Sequence, residues 1–304
     1  MNKNKKHAVI SLSGGMDSST LLLHLLSEGY ECTCISFDYG QKHRVELERA
    51  QELVNYLNNN NLIETDKPVW DEKFSKINYQ VIKLDGLSNL LVSGLVDNDS
   101  MEMKKGHYAH ENALTTVVPN RNAIFASITY AVALSLVKKN GYPCKIALGT
   151  HMGDFDNKKQ QGIYPDCSED FKIALEHAFK IGNWDSDKVD YYAPYNITNK
   201  TGVLEDGIKS CKKIGLDYKE IYKRTNTSYD PIKHVILYKD GTLGEEWFSD
   251  YKSGSSIERI LTFVELNIKD PVQYADEFGL VTWEIAKNYA LEVDRKFKET
   301  HPNF

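Results

Sequence analysis

The sequence predicts an α/β protein built on a parallel, doubly wound sheet with helices on both faces and further helices toward the C-terminus. Three observations carry this. Short apolar runs alternate with segments of helical period. A Gly/Ser-rich turn joins the first run to the first helix. No repeat or long linker breaks the 304 residues, so a single domain spanning 1–304 is expected. Expected strands are residues 7–12, 31–37, 79–84, 144–149 and 189–192. Expected helices are 17–26, 44–57, 122–138, 168–179, 200–214, 255–266 and 282–297.

Residues 7–12 form a short buried-type run. In 17–26, Leu21, Leu22, Leu25 and Leu26 fall on one side of a helix. Residues 31–37 are rich in Cys, Thr and Ile, residues 44–57 are amphipathic, and residues 122–138 are long and apolar. Residues 58–78 and 229–253 are the least regular and read as loops or insertions. A sheet of this kind binds ligands at the carboxyl ends of its strands.

Composition narrows the function. The chain is 41% hydrophobic and 26% charged, with net charge −6 and a pI of about 5.9. An acidic protein is poorly suited to direct nucleic-acid binding. No apolar run is long enough to cross a bilayer, and the Lys- and Asn-rich start has no signal-peptide core, so a cytoplasmic protein without membrane contact is expected. Five scattered cysteines make no disulfide framework. Cys32 and Cys34 share a strand face, and buried core thiols are preferred there over a metal or redox pair.

Ser13-Gly14-Gly15-Met16-Asp17-Ser18-Ser19 follows the first strand and opens the first helix. Two glycines let the backbone approach an anion. The loop and helix amides, with the hydroxyls of Ser13, Ser18 and Ser19, can converge on phosphate oxygens, and the helix dipole assists them. Asp17 beside phosphates requires an intervening cation, for which Mg²⁺ is the natural choice. The bland alternative is a Ser/Gly cap that binds nothing.

This loop resembles the SGGxDS loop of the PP-loop ATP pyrophosphatases. The resemblance implies a sheet of the adenine nucleotide alpha-hydrolase type, cleavage of ATP to AMP and pyrophosphate, and an adenylylated intermediate. Further segments follow in order: 36–46 (SFDYGQKHRVE), 118–125 (VPNRNAIF), 164–167 (YPDC), 257–260 (IERI), then Phe263 and Asp270-Pro271. Together, from about 8 to 274, they resemble the QueC family of 7-cyano-7-deazaguanine synthases. That implies adenylylation of the carboxylate of 7-carboxy-7-deazaguanine, attack by ammonia to give an amide, and dehydration to the nitrile with a second ATP.

Residue roles follow from the resemblance. Ser11, Leu12, Ser13, Gly14, Gly15, Asp17, Ser18, Ser19 and Phe37 form the expected ATP site, with Phe37 near adenine. Asp17, Arg121 and Lys200 form the catalytic set, the two cations serving the α-phosphate or the substrate carboxylate. The donor edge of a deazaguanine needs an acceptor, for which Asp166 is the first choice and Asp154 the second. Tyr39, Gln41, His43 and Arg44 are further substrate-site candidates, with Glu46 beside them; an exposed first helical turn is their alternative. Asp166 could instead cap the helix near Ser168, and Lys200 could be a surface lysine.

The chain departs from the family pattern at its C-terminal side. Family members hold a structural zinc with four cysteines. The corresponding positions here are Ser228, Asp250, Ser253 and Ser256, so no structural zinc is expected. Val235, Ile236, Leu237, Leu243, Trp247 and Phe248 are expected to pack in its place. An insertion at 157–162 and a helical extension over 275–304 are further departures. QueC-like paralogues occur in antiphage operons, including CBASS-type systems. The alternatives are therefore an enzyme that joins the deazaguanine to a protein acceptor, or a non-catalytic nucleotide-binding partner. A homodimer is the default oligomer.

Overall fold

The computed structural model describes residues 5–42, 44–63, 71–98, 111–153, 155–156, 161–162 and 164–301. Five strands make one sheet: β1 (His7–Ser11), β2 (Glu31–Asp38), β3 (Asn78–Lys83), β4 (Cys144–Ala147) and β5 (Val189–Tyr192). Their spatial order is β3-β2-β1-β4-β5, and every pairing is parallel. The chain builds outward from β1 to β3, then returns to β1's other side to begin β4. The strand order therefore reverses between β1 and β4, where a crevice opens at the strands' carboxyl ends.

Side-chain alternation divides the core. Ala8, Ile10, Cys32 and Cys34 face one layer with Leu21, Leu22, Leu25 and Leu26 of α1 (Met16–Ser27). α2 (Val45–Asn59) adds Leu53, Val54 and Leu57 to that layer. Val9, Ile35 and Ile146 face the other layer, with Ala126, Tyr130 and Ala133 of α3 (Arg121–Asn140). Burial pushes the Cys34 thiol far above its ordinary value, as expected of a core residue. α4 is Glu169–Gly182, α5 is Lys200–Lys213 and α6 is the short Tyr218–Tyr222. α1 packs on α5. Ser168 caps α4 by accepting from the Phe171 amide, so Asp166 is not the cap.

The expected loop over 229–253 is instead an antiparallel hairpin, β6 (Ile232–Leu237) and β7 (Leu243–Phe248). Its apolar residues do not fill the former zinc region: Val235, Leu237 and Leu243 are 64%, 68% and 71% exposed, and of the six only Phe248 is buried. Polar contacts hold the region together. Oδ1 of Asp250 accepts from the hydroxyls of Ser228 (2.7 Å), Ser253 (2.6 Å) and Ser256 (2.8 Å). Oδ2 accepts from the amides of Lys252 and Ser253. Ser228, Asp250, Ser253 and Ser256, the positions that the resemblance aligns with four cysteines, thus meet in space around one carboxylate. This donor set does not fit zinc: three ligands are hydroxyls, and both carboxylate oxygens are occupied.

α7 (Gly254–Glu265) follows and packs on α8 (Trp283–Thr300), reached through a small hairpin of β8 (Tyr274–Asp276) and β9 (Gly279–Val281). Ala286 and Ala290 of α8 are buried against Ile257 and Ile260 of α7. Beneath them, Arg259 holds Asp270 with two hydrogen bonds, at 2.7 and 3.0 Å, and both side chains are fully buried. Arg259 also donates to Thr225 Oγ1 and to the Tyr222 carbonyl. Most of both groups' hydrogen-bonding capacity is thereby used, as a buried ion pair requires.

Candidate active site

The phosphate loop is shaped by close backbone packing. Gly14 has φ +80°, and a Cβ there would lie 2.2 Å from the Glu46 carbonyl oxygen of α2. Only glycine fits both demands. The Gly14 carbonyl accepts from the Asn226 amide at 2.9 Å. The Ser13 and Ser18 hydroxyls lie 3.0 Å apart, and Ser13 Oγ accepts from the Gly15 amide. Gly15 is the N-cap of α1 and makes no side-chain capping bond, so the helix start retains the character of an anion site. On the other side of the crevice, Gly149 after β4 passes so close that a Cβ would meet the Ser18 amide at 3.0 Å.

A charged cluster stands at this end. Lys200, the first residue of α5, lies 2.6 Å from Glu258 and 3.3 Å from Asp17. It is buried, which removes the surface-lysine alternative. The His151 ring, also buried, points Nε2 toward Asp17 and Glu258 at 3.8 and 4.0 Å. The Gly153 amide donates to His151 Nδ1 at 3.0 Å, which places the ring proton on Nε2. Asp17 Oδ1 is buried with no hydrogen-bond partner among the described residues. An orphaned carboxylate oxygen in a phosphate loop has the chemistry of a Mg²⁺ ligand, so the residues fit that ion.

The cavity extends from the loop past Phe37, Tyr39, Glu46, Arg121 and Phe125. The Phe37 and Phe125 rings stack at 4.0 Å, nearly parallel. Gln41 acts as a backbone clamp, donating to the Phe37 carbonyl and accepting from the Tyr39 amide, both at 3.0 Å. Arg121 opens α3 after Asn120, which has φ +56°. Burial works against the Arg121 charge, but Tyr39, Tyr229 and Tyr164 around it hold it as a cation. Burial pushes the Glu46 carboxyl up to about 7, with Arg121 opposing the rise.

The structure brings together Ser11, Leu12, Ser13, Gly15, Asp17, Ser18, Phe37, Tyr39, Gln41, Arg121 and Lys200 around this cavity. Gly14 and Ser19 support the loop from behind, Ser19 being fully buried. Arg44 is exposed, and Asp166 lies in a 3-10 turn (Pro165–Cys167) beside Tyr164 and Cys167, which line the cavity, without being itself among the described lining residues. His43, Asp154 and residues 157–160 of the insertion lie outside the described residues. Sequence reasoning missed His151, Thr150 and the role of Glu258. A signal existed for the first two: they directly follow a strand's carboxyl end.

The model for "Queuosine biosynthesis protein QueC" matches residues 7–235. A 7-cyano-7-deazaguanine synthase 2 of Colwellia psychrerythraea is 34% identical over 89% of this chain and 99% of its own length. A 7-cyano-7-deazaguanine synthase of Caldicellulosiruptor saccharolyticus is 31% identical over 91% of this chain and 98% of its own. A solved 4-thiouridine synthetase, in complex with RNA and bound ATP, aligns at 14% identity with a TM-score of 0.38, over 67% of this chain and 40% of that one. Among the described residues, no helix is long and apolar enough to cross a membrane. The family model over residues 7–235 and the two synthases, matched over about nine-tenths of the chain, establish that the chain belongs to the QueC family.

Proposed function

We propose that this protein is an AMP-forming carbon–nitrogen ligase acting on 7-carboxy-7-deazaguanine. The substrate carboxylate attacks the α-phosphorus of ATP, the α–β bridge breaks, and pyrophosphate leaves. Ammonia then attacks the acyl carbon, loses a proton, and expels AMP to give the amide. The amide oxygen attacks the α-phosphorus of a second ATP, pyrophosphate leaves, and loss of both N–H protons expels AMP with the oxygen to leave the nitrile. The observation that carries this reading is the meeting of Asp17, Lys200 and the helix start of α1 at one end of a cavity that continues to Arg121. The relatives' names give the product, 7-cyano-7-deazaguanine, and a ring carrying a carboxylate at the same position is the precursor that AMP-forming activation would convert to it.

Each residue has a physical task. The loop amides and the Ser13 and Ser18 hydroxyls hold the leaving pyrophosphate. Lys200 offers positive charge beside them, held in place by Glu258 at 2.6 Å. Arg121 binds the reacting carboxylate or the α-phosphate, where negative charge must be brought together before bond formation. Positioning and charge neutralisation are the main sources of rate in such transfers. Mg²⁺ held through Asp17 would neutralise charge on the phosphates. Domain limits of 1–304, a dimeric state and a cytoplasmic location are parts of the same proposal.

The test incubates purified protein with ATP, Mg²⁺ and 7-carboxy-7-deazaguanine, with and without ammonium, and follows AMP and products by mass spectrometry. AMP with the nitrile is the expected result. AMP with the amide alone would end the reaction before dehydration, and mass added to a co-purified protein would move the acceptor from free ammonia to a protein amine. No AMP would overturn the reading.

A further inference from the structure

We propose that Glu46 sets specificity for the substrate, its carboxylate accepting from the two parallel donors on the pairing edge of a guanine-type ring. This rests on the deazaguanine reading above and assigns the acceptor role to a described lining residue of the cavity, in place of Asp166.

Three observations carry it. First, Glu46 lies in the first turn of α2 and lines the cavity, where Asp17 is the only other carboxylate among the described lining residues. Asp17 belongs to the phosphate end and faces Lys200. Second, no hydrogen bond or ion pair engages the Glu46 carboxylate among the described residues. A partly desolvated carboxylate left without partners inside a cavity is a group built to receive donors. Third, its neighbours suit a flat heterocycle: Tyr39 and the stacked Phe37–Phe125 pair provide apolar ring faces, and Arg121 provides a cation for a carboxylate on the ring.

The chemistry discriminates between the two rings that enter this site. A guanine-type edge presents a ring N–H beside an exocyclic amine, two donors that match the two oxygens of a carboxylate. An adenine edge presents one donor beside one acceptor, which an ionised carboxylate meets with repulsion at the second position. Glu46 is thus matched to the acid substrate and not to ATP.

The test measures AMP release by wild type and Glu46→Gln, varying each substrate with the other saturating. The glutamine amide keeps one acceptor and sets a donor against the second donor. The expected result is a KM for 7-carboxy-7-deazaguanine raised roughly 10–100-fold, with the KM for ATP within about twofold. Wild type is also expected to prefer 7-carboxy-7-deazaguanine over the analogue lacking the 2-amino group, a preference lost in Glu46→Gln. An altered KM for ATP, unchanged values for both substrates, or a retained 2-amino preference would overturn the assignment. Calorimetric binding of the two acids without ATP separates this from the proposed reaction. Binding weakened in Glu46→Gln without turnover in wild type keeps Glu46 and sinks the ligase reading; no binding to wild type sinks both.

Discussion

The two polar centres of this molecule are built on opposite rules. At the phosphate loop, among the described residues, Asp17 Oδ1 is buried without a hydrogen-bond partner, Glu46 makes no hydrogen bond or ion pair, and Lys200 bridges two acids. Around Asp250 and Arg259, by contrast, charge is saturated: five hydrogen bonds reach the Asp250 carboxylate, and Asp270 meets Arg259 twice and Tyr274 once. Unsatisfied groups lower stability and persist where a ligand completes them. Saturated groups do structural work. The difference separates the part that performs chemistry from the part that holds it. Segment 225–228 joins them: Thr225 bonds Arg259, Asn226 bonds Gly14, and Ser228 bonds Asp250. The serine-and-aspartate knot therefore braces the phosphate loop.

The comparison is broken most severely by Asp270→Asn. It leaves the fully buried Arg259 charge without its counter-ion, at a cost of about 3–5 kcal/mol. A fall of that size in chemical denaturation, with activity lost only as the fold is lost, is the expected outcome; a mild change would mean the pair is dispensable. Asp17→Asn should do the reverse. It removes a carboxylate whose Oδ1 has no hydrogen-bond partner among the described residues. It also gives up the 3.3 Å contact of Oδ2 with Lys200, which Glu258 still holds. Stability should therefore change by no more than about 1 kcal/mol, while AMP release falls by about 10²–10³-fold. Steady-state kinetics beside a thermal melt check this, and matched losses in both would place Asp17 on the structural side.

Asp250→Asn sharpens the comparison with a smaller effect. The amide keeps one oxygen for the three hydroxyls but sets an NH2 donor against the Lys252 and Ser253 amides, so about 1–3 kcal/mol of stability should go. The melting temperature of wild type should be indifferent to a zinc chelator, since the knot is made of hydrogen bonds. A chelator-induced drop would contradict the saturated-carboxylate account.

What was readable in the sequence follows the same division. The five-stranded sheet and its long helices were legible because hydrophobic period is local, and the loop at Ser13 was legible because its residues are contiguous. The hairpin over 232–248 was not. Val235, Leu237 and Leu243 look like core residues, yet all three are exposed on the hairpin. The cluster of Asp17, His151, Lys200 and Glu258 was half legible, since its members come from four distant segments and meet only through the fold. The four former zinc positions could be named, but their convergence on one Asp250 oxygen depends on distances that no spacing rule encodes.

The last test isolates Glu46 by pH. Burial raises its carboxyl from an ordinary value of 4.5 to about 7. Between those values the folded protein holds a proton that the unfolded chain has released. Stability therefore falls as pH rises through that window and levels off above it. Glu46→Gln cannot titrate, so it removes this slope while leaving every other group's contribution in place. Melting temperatures taken from pH 4.5 to 8 should give a wild-type-minus-variant difference that declines up to about pH 7 and then runs flat. Parallel curves would mean that Glu46 reaches water more freely than its surroundings imply, and it would then lose its standing as the desolvated acceptor of the cavity.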